Sequence, residues 1–331
     1  MTLQLDTPPS DPDERPTELD LTQDGSGGRA DRAFRRIALL AGATVLLVLV
    51  LIAVVTTNKA WPAFTQLGTS YFFGTEWVPS EGKFGIVPLV YGTILVSVLA
   101  LILAVPISVG IALFVTEVAH RRLRGAVTTV IDLLAAVPSV VFGLWGFYYL
   151  IPRFQSIFNA ISDAVSGIPV LNAVFGPSTG SSYMSAAVIL ALMITPITTA
   201  VAREVFLTVP ENDKAGALAL GATRWEMIRG VVLPHSSGGL TGAVMLGLGR
   251  AMGETVAVPL PLGPPPHIPA NIFAVGETMP AQIFRNLGEA DALFRAALIG
   301  LGVCLFVLTI AVNVSARRMV VVVDRRIKGT V

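Results

Sequence analysis

The sequence predicts an all-α polytopic membrane protein with six transmembrane helices. Apolar residues make up 53% of its 331 residues and charged residues only 14%, whereas soluble domains carry about 25% charged residues. Long segments almost free of charge recur along the chain, and each approaches the roughly 20 residues that a helix needs to cross a bilayer. Positive charges concentrate in alternate connections between these segments, which is typical of cytoplasmic loops.

Six segments qualify as membrane-spanning helices. They define a predicted membrane domain of residues 34–317, preceded by residues 1–33 and followed by residues 318–331, with a long polar connection at residues 203–236. The third segment contains one charged residue and the fifth contains two. The predicted spans are residues 37–55, a stretch within 84–116, 126–150, 183–202, 237–258 and 296–316.

Arginine and lysine predict the orientation of the spans. They are concentrated in the N-terminal region, the connections after spans two and four, and the C-terminal end. Because positively charged loops stay in the cytoplasm, we expect both termini there. Residues 1–33 are acidic and poor in apolar residues, so we expect a disordered cytoplasmic tail. Residues 318–331 should form a basic cytoplasmic tail.

Composition and motifs exclude several classes of function. The net charge is +1, which gives no footprint for nucleic-acid binding. The three histidines lie far apart in sequence, so no zinc-like ligand spacing is present and no metal site is predicted. The G-x-x-x-x-G-K-[ST] phosphate loop is absent, so we expect no ATP hydrolysis by this chain. No span pairs a nucleophile with a base, so no catalytic residue is predicted.

The connection between spans four and five predicts two short helices. Pro210 can begin the first helix, because its missing N–H is harmless in the first turn. Gly221 suits the left-handed stop of that helix, and Thr223 and Glu226 match a capping box for the next one. We expect the second helix to end at Pro234. A pair this small cannot bury its own core, so it should pack on the chain or dock on a partner.

Span five contains two ionisable residues within the sequence G-L-G-R-A-M-G-E-T-V-A-V. They are Arg250 and Glu254, which a continuous helix would place on one face. A charge at the centre of a bilayer costs at least about 2.5–3.5 kcal/mol, so this face should point into a bundle or a subunit interface. Small residues allow close helix packing, and the expected helix-packing residues are Gly247, Gly249, Gly253 and, in span three, Pro138.

Two interpretations of this charge pair remain open. In the first, Arg250 and Glu254 neutralise each other as a structural ion pair. In the second, they line a substrate path. The planar guanidinium of arginine binds oxyanions through paired hydrogen bonds. Glu254 could accept the proton that hydrogen phosphate carries and that sulfate lacks at neutral pH, so the second interpretation favours phosphate.

The polar connection resembles a known element. Its pattern A-G-A-x-x-x-G, followed by W-E and V-x-L-P, is similar to the coupling loop of ABC importer permeases. In that family the loop inserts into a groove of a separate ATPase and passes its motion to the membrane helices. The family's glutamate falls on Ala215. The residues to which the resemblance gives this role are Ala215, Gly216, Ala217, Gly221, Thr223, Trp225, Glu226, Leu233 and Pro234.

Three further stretches resemble permeases of phosphate-specific ABC importers. They are R-A-M-G-E-T in span five, W-V-P-S-E-G-K-F-G-I-V-P before span two, and A-A-V-P-S-V-V-F-G-L in span three. The likeness runs over about residues 72–316, and the long outer loop at residues 152–182 favours the PstC type. It implies the type I importer permease fold and a substrate path through Arg250 and Glu254.

The resemblance also implies partners and a location. The partners would be a homologous PstA-type permease, two PstB-type ATPase subunits and an extracytoplasmic phosphate-binding protein that docks on residues 56–83, 152–182 and 260–291. ATP and Mg would bind to the ATPase, so no cofactor is expected on this chain. The location would be a bacterial cell membrane, in contact with lipid. A permease for sulfate or molybdate, or a secondary anion transporter, remains an alternative.

Overall fold

The computed structural model describes residues 28–258, 260–263 and 266–328, with side chains within residues 31–318. Most of the predicted acidic tail therefore lies outside the described residues. The helices are α1 (Gly28–Leu67), α2 (Thr69–Phe73), α3 (Val87–Leu113), α4 (Arg121–Ala135), α5 (Ser139–Trp145), α6 (Ile151–Val165), α7 (Pro169–Val174), α8 (Tyr183–Leu207), α9 (Glu211–Ala219), α10 (Arg224–Met227), α11 (Leu233–Met252), α12 (Met279–Asn286) and α13 (Ala292–Lys328). The strands are β1 (Trp77–Val78) and β2 (Lys83–Phe84).

The chain divides into two compact units after Val54. The described part of the first unit is helical, and its mostly apolar side chains are exposed. Over the described ranges, five helices are long and apolar enough to cross a membrane, and one bent helix pair makes a sixth. Spans one, two, four, five and six correspond to α1, α3, α8, α11 and α13. The predicted six spans are confirmed when the bent pair is counted as one.

The third predicted span is broken rather than continuous over residues 126–150. Helix α4 stops before Pro138, α5 begins after it, and the two parts of the span meet at 90°. Proline lacks an N–H and disfavours helical backbone in the preceding residue, which accounts for the break. By contrast, Pro106 and Pro196 lie inside the continuous helices α3 and α8. The predicted outer loop over residues 152–182 is mostly helical, since α6 and α7 occupy much of it.

Helix α8 is central to the second unit and packs against α3, α4 and α11. Small residues line its contact with α3: Ala100 and Ala104 share a buried cluster with Ala187 and Ala191. Small side chains let helix backbones approach closely, which matters in lipid because burial of apolar surface gains little there. Span five packs against span four, since α11 contacts α8 directly.

A small hairpin precedes span two. Its strands pair antiparallel, with Trp77 opposite Phe84 and Gly82 in the turn at a φ of +68°. Phe294 of α13 stacks on Phe84 with ring centroids 5.5 Å apart. These aromatic contacts hold the hairpin against the beginning of span six.

The connection between spans four and five forms the two predicted helices, α9 and α10. Gly221 has a φ of +88°, and Thr223 and Glu226 make both hydrogen bonds of the predicted capping box. The predicted end at Pro234 is wrong, because the helix continues over Arg224–Met252. A π-helical turn directly before Pro234 places the proline in the first turn of α11, where a missing N–H is tolerated. Helix α10 is therefore continuous with span five.

Candidate functional site: the Arg250 cleft and the coupling helices

Span five stops being helical before its second charge. Its last helical residue is Met252, which is earlier than predicted. Glu254 lies in the turn beyond, where its Oε1 accepts the backbone N–H groups of Val256 and Ala257, both at 3.1 Å. Arg250 and Glu254 consequently do not share one face of a continuous helix.

The structure does not pair these two charges. In the part of the chain that the structure describes, no ion pair within 4.0 Å contains Arg250 or Glu254. Glu254 is only 7% exposed and is held by backbone N–H groups, whereas Arg250 is exposed. The arrangement is therefore not the structural ion pair of the first interpretation. An exposed arginine in a membrane helix needs water, a ligand or a partner chain to stabilise its charge.

Arg250 faces an open cleft of about 640 Å³ formed by spans four, five and six. Its walls are mostly apolar around one guanidinium, one carboxylate and one amide, which is the usual composition of a small-ligand pocket. Spans four and six contribute Ile197 and Asn313. The other lining residues, from span five and the turn after it, are Met245, Leu246, Gly249, Arg250, Gly253 and Glu254.

The three glycines of span five have different surroundings. A Cβ atom at Gly247 would lie 2.9 Å from Oγ1 of Thr198, so this glycine allows α11 to approach α8. A Cβ at Gly249 would meet nothing within 4 Å, and one at Gly253 would meet only the carbonyl oxygen of Gly249 at 3.4 Å. Close helix packing within this chain therefore involves Gly247, while Gly249 and Gly253 keep the cleft open.

Asn313 of α13 is a cleft residue that the sequence patterns did not single out. Its Oδ1 is buried and has no hydrogen-bond partner among the described groups. Because buried polar atoms are almost always paired, this amide is a candidate for a bond from a ligand or a partner chain. A signal was available, since a lone asparagine in the apolar run I-A-V-N-V is costly to bury without a partner.

A second buried carboxylate, also unforeseen, lies between spans five and six. The side chain of Glu277 is 0% exposed, and its Oε2 lies 3.3 Å from Nε of Arg285. Burial raises the pKa of Glu277 to about 7, although the positive charge of Arg285 opposes this shift. Arg285 also donates to the carbonyl of Leu262 at 3.0 Å. These contacts tie α12 to the segment that follows the Arg250 cleft.

The helices α9 and α10, which the resemblance predicts to couple to an ATPase and which are therefore named the coupling helices, have an exposed side and a packed side. On the exposed side, Leu220 is 90% and Trp225 63% exposed. On the packed side, Met227 and Ile228 lie in a buried cluster with Phe206 of span four. Of the predicted coupling residues, Ala217 and Leu233 pack partly against this cluster, and the exposed ones are Ala215, Gly216, Gly221, Thr223, Trp225, Glu226 and Pro234.

One known protein family matches a part of the chain that includes both the cleft and the coupling helices. The family described as "Binding-protein-dependent transport system inner membrane component" matches residues 104–329. The chain belongs to this family. The match to this permease family begins within span two and takes in the Arg250 cleft and the coupling helices.

The permease is similar over most of its length to phosphate transport proteins. The "Phosphate transport system permease protein PstC" of Xylella fastidiosa (strain 9a5c) is 40% identical over 300 residues, which cover 90% of this chain and 93% of that one. The PstC of Mesorhizobium japonicum is 38% identical over 299 residues, covering 89% and 91%. The PstC 2 of Mycobacterium tuberculosis is 38% identical over 295 residues, covering 87% and 91%. The resemblance found in the sequence motifs is confirmed.

Two solved structures share the permease fold. A bacterial ABC transporter involved in the import of the acidic polysaccharide alginate superposes with a TM-score of 0.55 at 18% identity, covering 90% of this chain and 99% of that one. The inward-facing MetNI methionine ABC transporter gives a TM-score of 0.51 at 17% identity, covering 72% and 94%. These likenesses concern the fold alone. They confirm the predicted type I importer permease fold.

Proposed function

We propose that this chain is the PstC-type permease subunit of an ATP-driven importer of inorganic phosphate. The observation that carries the proposal is the Arg250 cleft, in which a guanidinium without an ion-pair partner among the described residues faces an open space between membrane helices. Relatives named as phosphate permeases, 38–40% identical to this chain, support phosphate as the substrate.

The chemistry of the cleft suits hydrogen phosphate. Arg250 would bind two phosphate oxygens through paired hydrogen bonds. The phosphate P–OH would donate to Oδ1 of Asn313 or to Oε2 of Glu254, whose Oε1 already accepts two backbone bonds. Sulfate carries no proton at neutral pH and would leave these acceptors unpaired, which is unfavourable in a buried site. The same cleft should therefore discriminate against sulfate.

A homologous PstA-type permease would complete the path. The cleft is open on the side of Gly249 and Gly253, where an added Cβ would meet no other helix of the described chain. Small residues on an exposed helix face allow a second chain to approach closely. The partner's equivalent span would then face Arg250 across the path. An extracytoplasmic phosphate-binding protein would dock on the outer segments at residues 56–83, 152–182 and 260–291.

Two PstB-type ATPase subunits would supply the energy. Trp225 and Leu220 present exposed apolar surface on the coupling helices, which suits insertion into a groove of another protein. ATP and Mg would bind to the ATPase. Because α10 is continuous with span five, movement of the coupling helices would reach Arg250 directly. In this orientation the coupling helices and both termini would lie in the cytoplasm of a bacterial cell.

Competition for uptake tests the substrate. Cells whose only high-affinity phosphate uptake depends on this permease and its partners would take up radiolabelled phosphate at limiting concentration. Excess unlabelled phosphate should abolish the signal, and excess sulfate or molybdate should leave it unchanged. Equal competition by sulfate or molybdate would assign the chain to another oxyanion. Uptake that persists when the ATPase is inactivated would indicate a secondary transporter.

A further inference from the structure

Lys214 of α9 is a buried lysine in a helix that otherwise exposes its charged residues. The residue is 6% exposed, and lysine is almost never fully buried unless it is paired. Its Nζ lies 2.9 Å from Oε1 of Glu117, and the two side chains are 8% and 7% exposed. Glu211 also approaches Nζ at 3.2 Å, but its side chain is 88% exposed, so water screens that pair strongly.

The partner of Lys214 lies on a different span. Glu117 is 97 residues earlier in sequence and belongs to the π-helical turn Phe114–Val118 at the end of span two. Arg124 of α4 donates to the carbonyl of Thr116 in the same turn. The ion pair therefore joins the first coupling helix to the end of span two, while α10 continues into span five.

The elements that carry this pair are also joined by buried apolar contacts. Ala112 of span two, Phe206 of span four and Ile228, which follows α10, belong to one buried cluster. Burial lowers the pKa of Lys214, but its hydrogen bonds and charge interactions with Glu117 and Glu211 outweigh this effect and raise the pKa above its ordinary value. The lysine stays charged, and separating it from Glu117 would leave two uncompensated buried charges.

We infer that the Lys214–Glu117 ion pair is a mechanical link through which the coupling helices move span two together with span five. This inference rests on the proposed coupling to an ATPase. It adds a second route to the one through α10, and it makes Lys214 and Glu117 positioning residues that contact neither ATP nor phosphate. Among the described residues of α9, Lys214 is the buried charge by which the helix is held to a span.

The test uses the assembled transporter and four variants. Lys214→Met and Glu117→Gln each break the pair, and the double variant Lys214→Glu with Glu117→Lys restores it with reversed charges. Glu211→Gln is the matched control, since it removes only the exposed partner. The readouts are co-purification of the ATPase, ATP hydrolysis and phosphate uptake. Both single variants should retain assembly and hydrolysis while uptake falls by roughly tenfold or more, the size of a typical coupling free energy between two sites, and the control should match the parent.

A distance measurement separates this link from a merely structural role. Spin labels on exposed positions 120 and 317, introduced as His120→Cys and Arg317→Cys with Cys304→Ser, report movement of the end of span two relative to span six. In the parent transporter, a non-hydrolysable ATP analogue should change this distance, and Lys214→Met should abolish the change. The readout needs no phosphate, so it stands even if the substrate is another anion.

Three outcomes would overturn the link. In the first, the ATP-dependent distance change persists in Lys214→Met. In the second, both single variants transport at the parental rate. In the third, the single variants fail to assemble, and the charge-reversed double variant assembles but shows neither uptake nor the distance change. Recovery of uptake and of the distance change in that double variant would support the link.

Discussion

Span five is built differently at its two ends. At the coupling-helix end, the chain is closed on itself by a buried cluster and by the Lys214–Glu117 pair. At the other end, Arg250 faces an open cleft, and no helix of the described chain packs on Gly249. Under the proposed function, contacts within the chain hold the coupling-helix end before the ATPase docks on it, whereas the open end leaves room for a second chain and a ligand.

The ion pairs of Lys214 and Glu277 differ in how burial affects the charge of the buried member. Around Lys214, hydrogen bonds and opposite charges outweigh burial and favour the charged form. Around Glu277, burial prevails over Arg285 and raises the pKa to about 7. Lys214 therefore keeps its charge at neutral pH, while the carboxyl group of Glu277 titrates there.

The largest expected effect is the pH dependence that Glu277 confers on the free energy of unfolding. Its pKa is raised from 4.5 to about 7 in the folded chain, so the folded state binds more protons between these values and stability falls as pH rises through that window. The loss should reach up to about 3 kcal/mol. Denaturant unfolding of the transporter at pH 5 and pH 8 should show this loss in the parent and not in Glu277→Gln.

Glu289→Gln is the matched control for this prediction, because Glu289 is an exposed carboxylate near α12. It should keep the parental pH dependence. An unchanged pH dependence in Glu277→Gln would mean that Glu277 is ionised throughout and that Arg285 compensates its burial fully.

The second prediction compares substitutions at Gly247, which packs against span four, and at Gly249, which faces the open cleft. Gly247→Leu should lower the free energy of unfolding by about 1–3 kcal/mol, because it overpacks the contact with Thr198. In the chain purified without its partner permease, Gly249→Leu should leave stability near the parental value, because its side chain enters open space, and in the assembled transporter it should reduce phosphate uptake by filling the cleft. Thermal unfolding and uptake would be measured together. Equal destabilisation by both variants would contradict an open cleft beside Gly249.

A smaller effect is expected at Asn313. Replacement by leucine keeps a similar volume and removes the amide, so the KM for phosphate should rise by about tenfold, equivalent to about 1.4 kcal/mol or one hydrogen bond. Inhibition by sulfate should increase. The control is Thr309→Val, one turn away, because that hydroxyl donates to the carbonyl of Leu305 in its own helix. Unchanged kinetics in Asn313→Leu would remove Asn313 from the path.

The smallest effect tests the capping box at the closed end. Thr223→Ala removes the hydroxyl that accepts the N–H of Glu226, which should cost about 1 kcal/mol of local stability. Amide hydrogen exchange of residues 224–227 should accelerate severalfold, with no change around Arg250. Unaltered exchange in this segment would show that contacts of Met227 and Ile228, rather than the cap, hold the start of α10.

Features whose contacting residues lie close together in the sequence could be predicted, and features whose contacting residues lie far apart could not. Gly221 and the Thr223–Glu226 capping box were predictable because their contacts lie within a few residues. Lys214 and Glu117 were not, because 97 residues separate them. Prolines show the same limit: Pro138 breaks a span, while Pro106 and Pro196 lie in continuous helices, and tertiary packing decides which outcome occurs.

The candidate site was predictable in its residues but not in its geometry. The cost of a charge in a membrane singled out Arg250 and Glu254. Whether these two side chains pair with each other depends on where the helix of span five ends. In the turn after Met252, Glu254 accepts hydrogen bonds from backbone N–H groups and does not pair with Arg250. Asn313 joins the cleft only because α13 passes beside span five.

The most direct test of the central claim is phosphate transport by an Arg250→Gln transporter, measured together with its ATP hydrolysis. Radiolabelled uptake and hydrolysis would be recorded on the same assembled complex, with Arg121→Gln, at the exposed start of α4, as the matched arginine control outside the cleft. The account predicts that Arg250→Gln assembles and hydrolyses ATP while phosphate uptake is abolished, because only the open end of span five is altered. Uptake near the parental level would contradict the account and remove Arg250 from the substrate path.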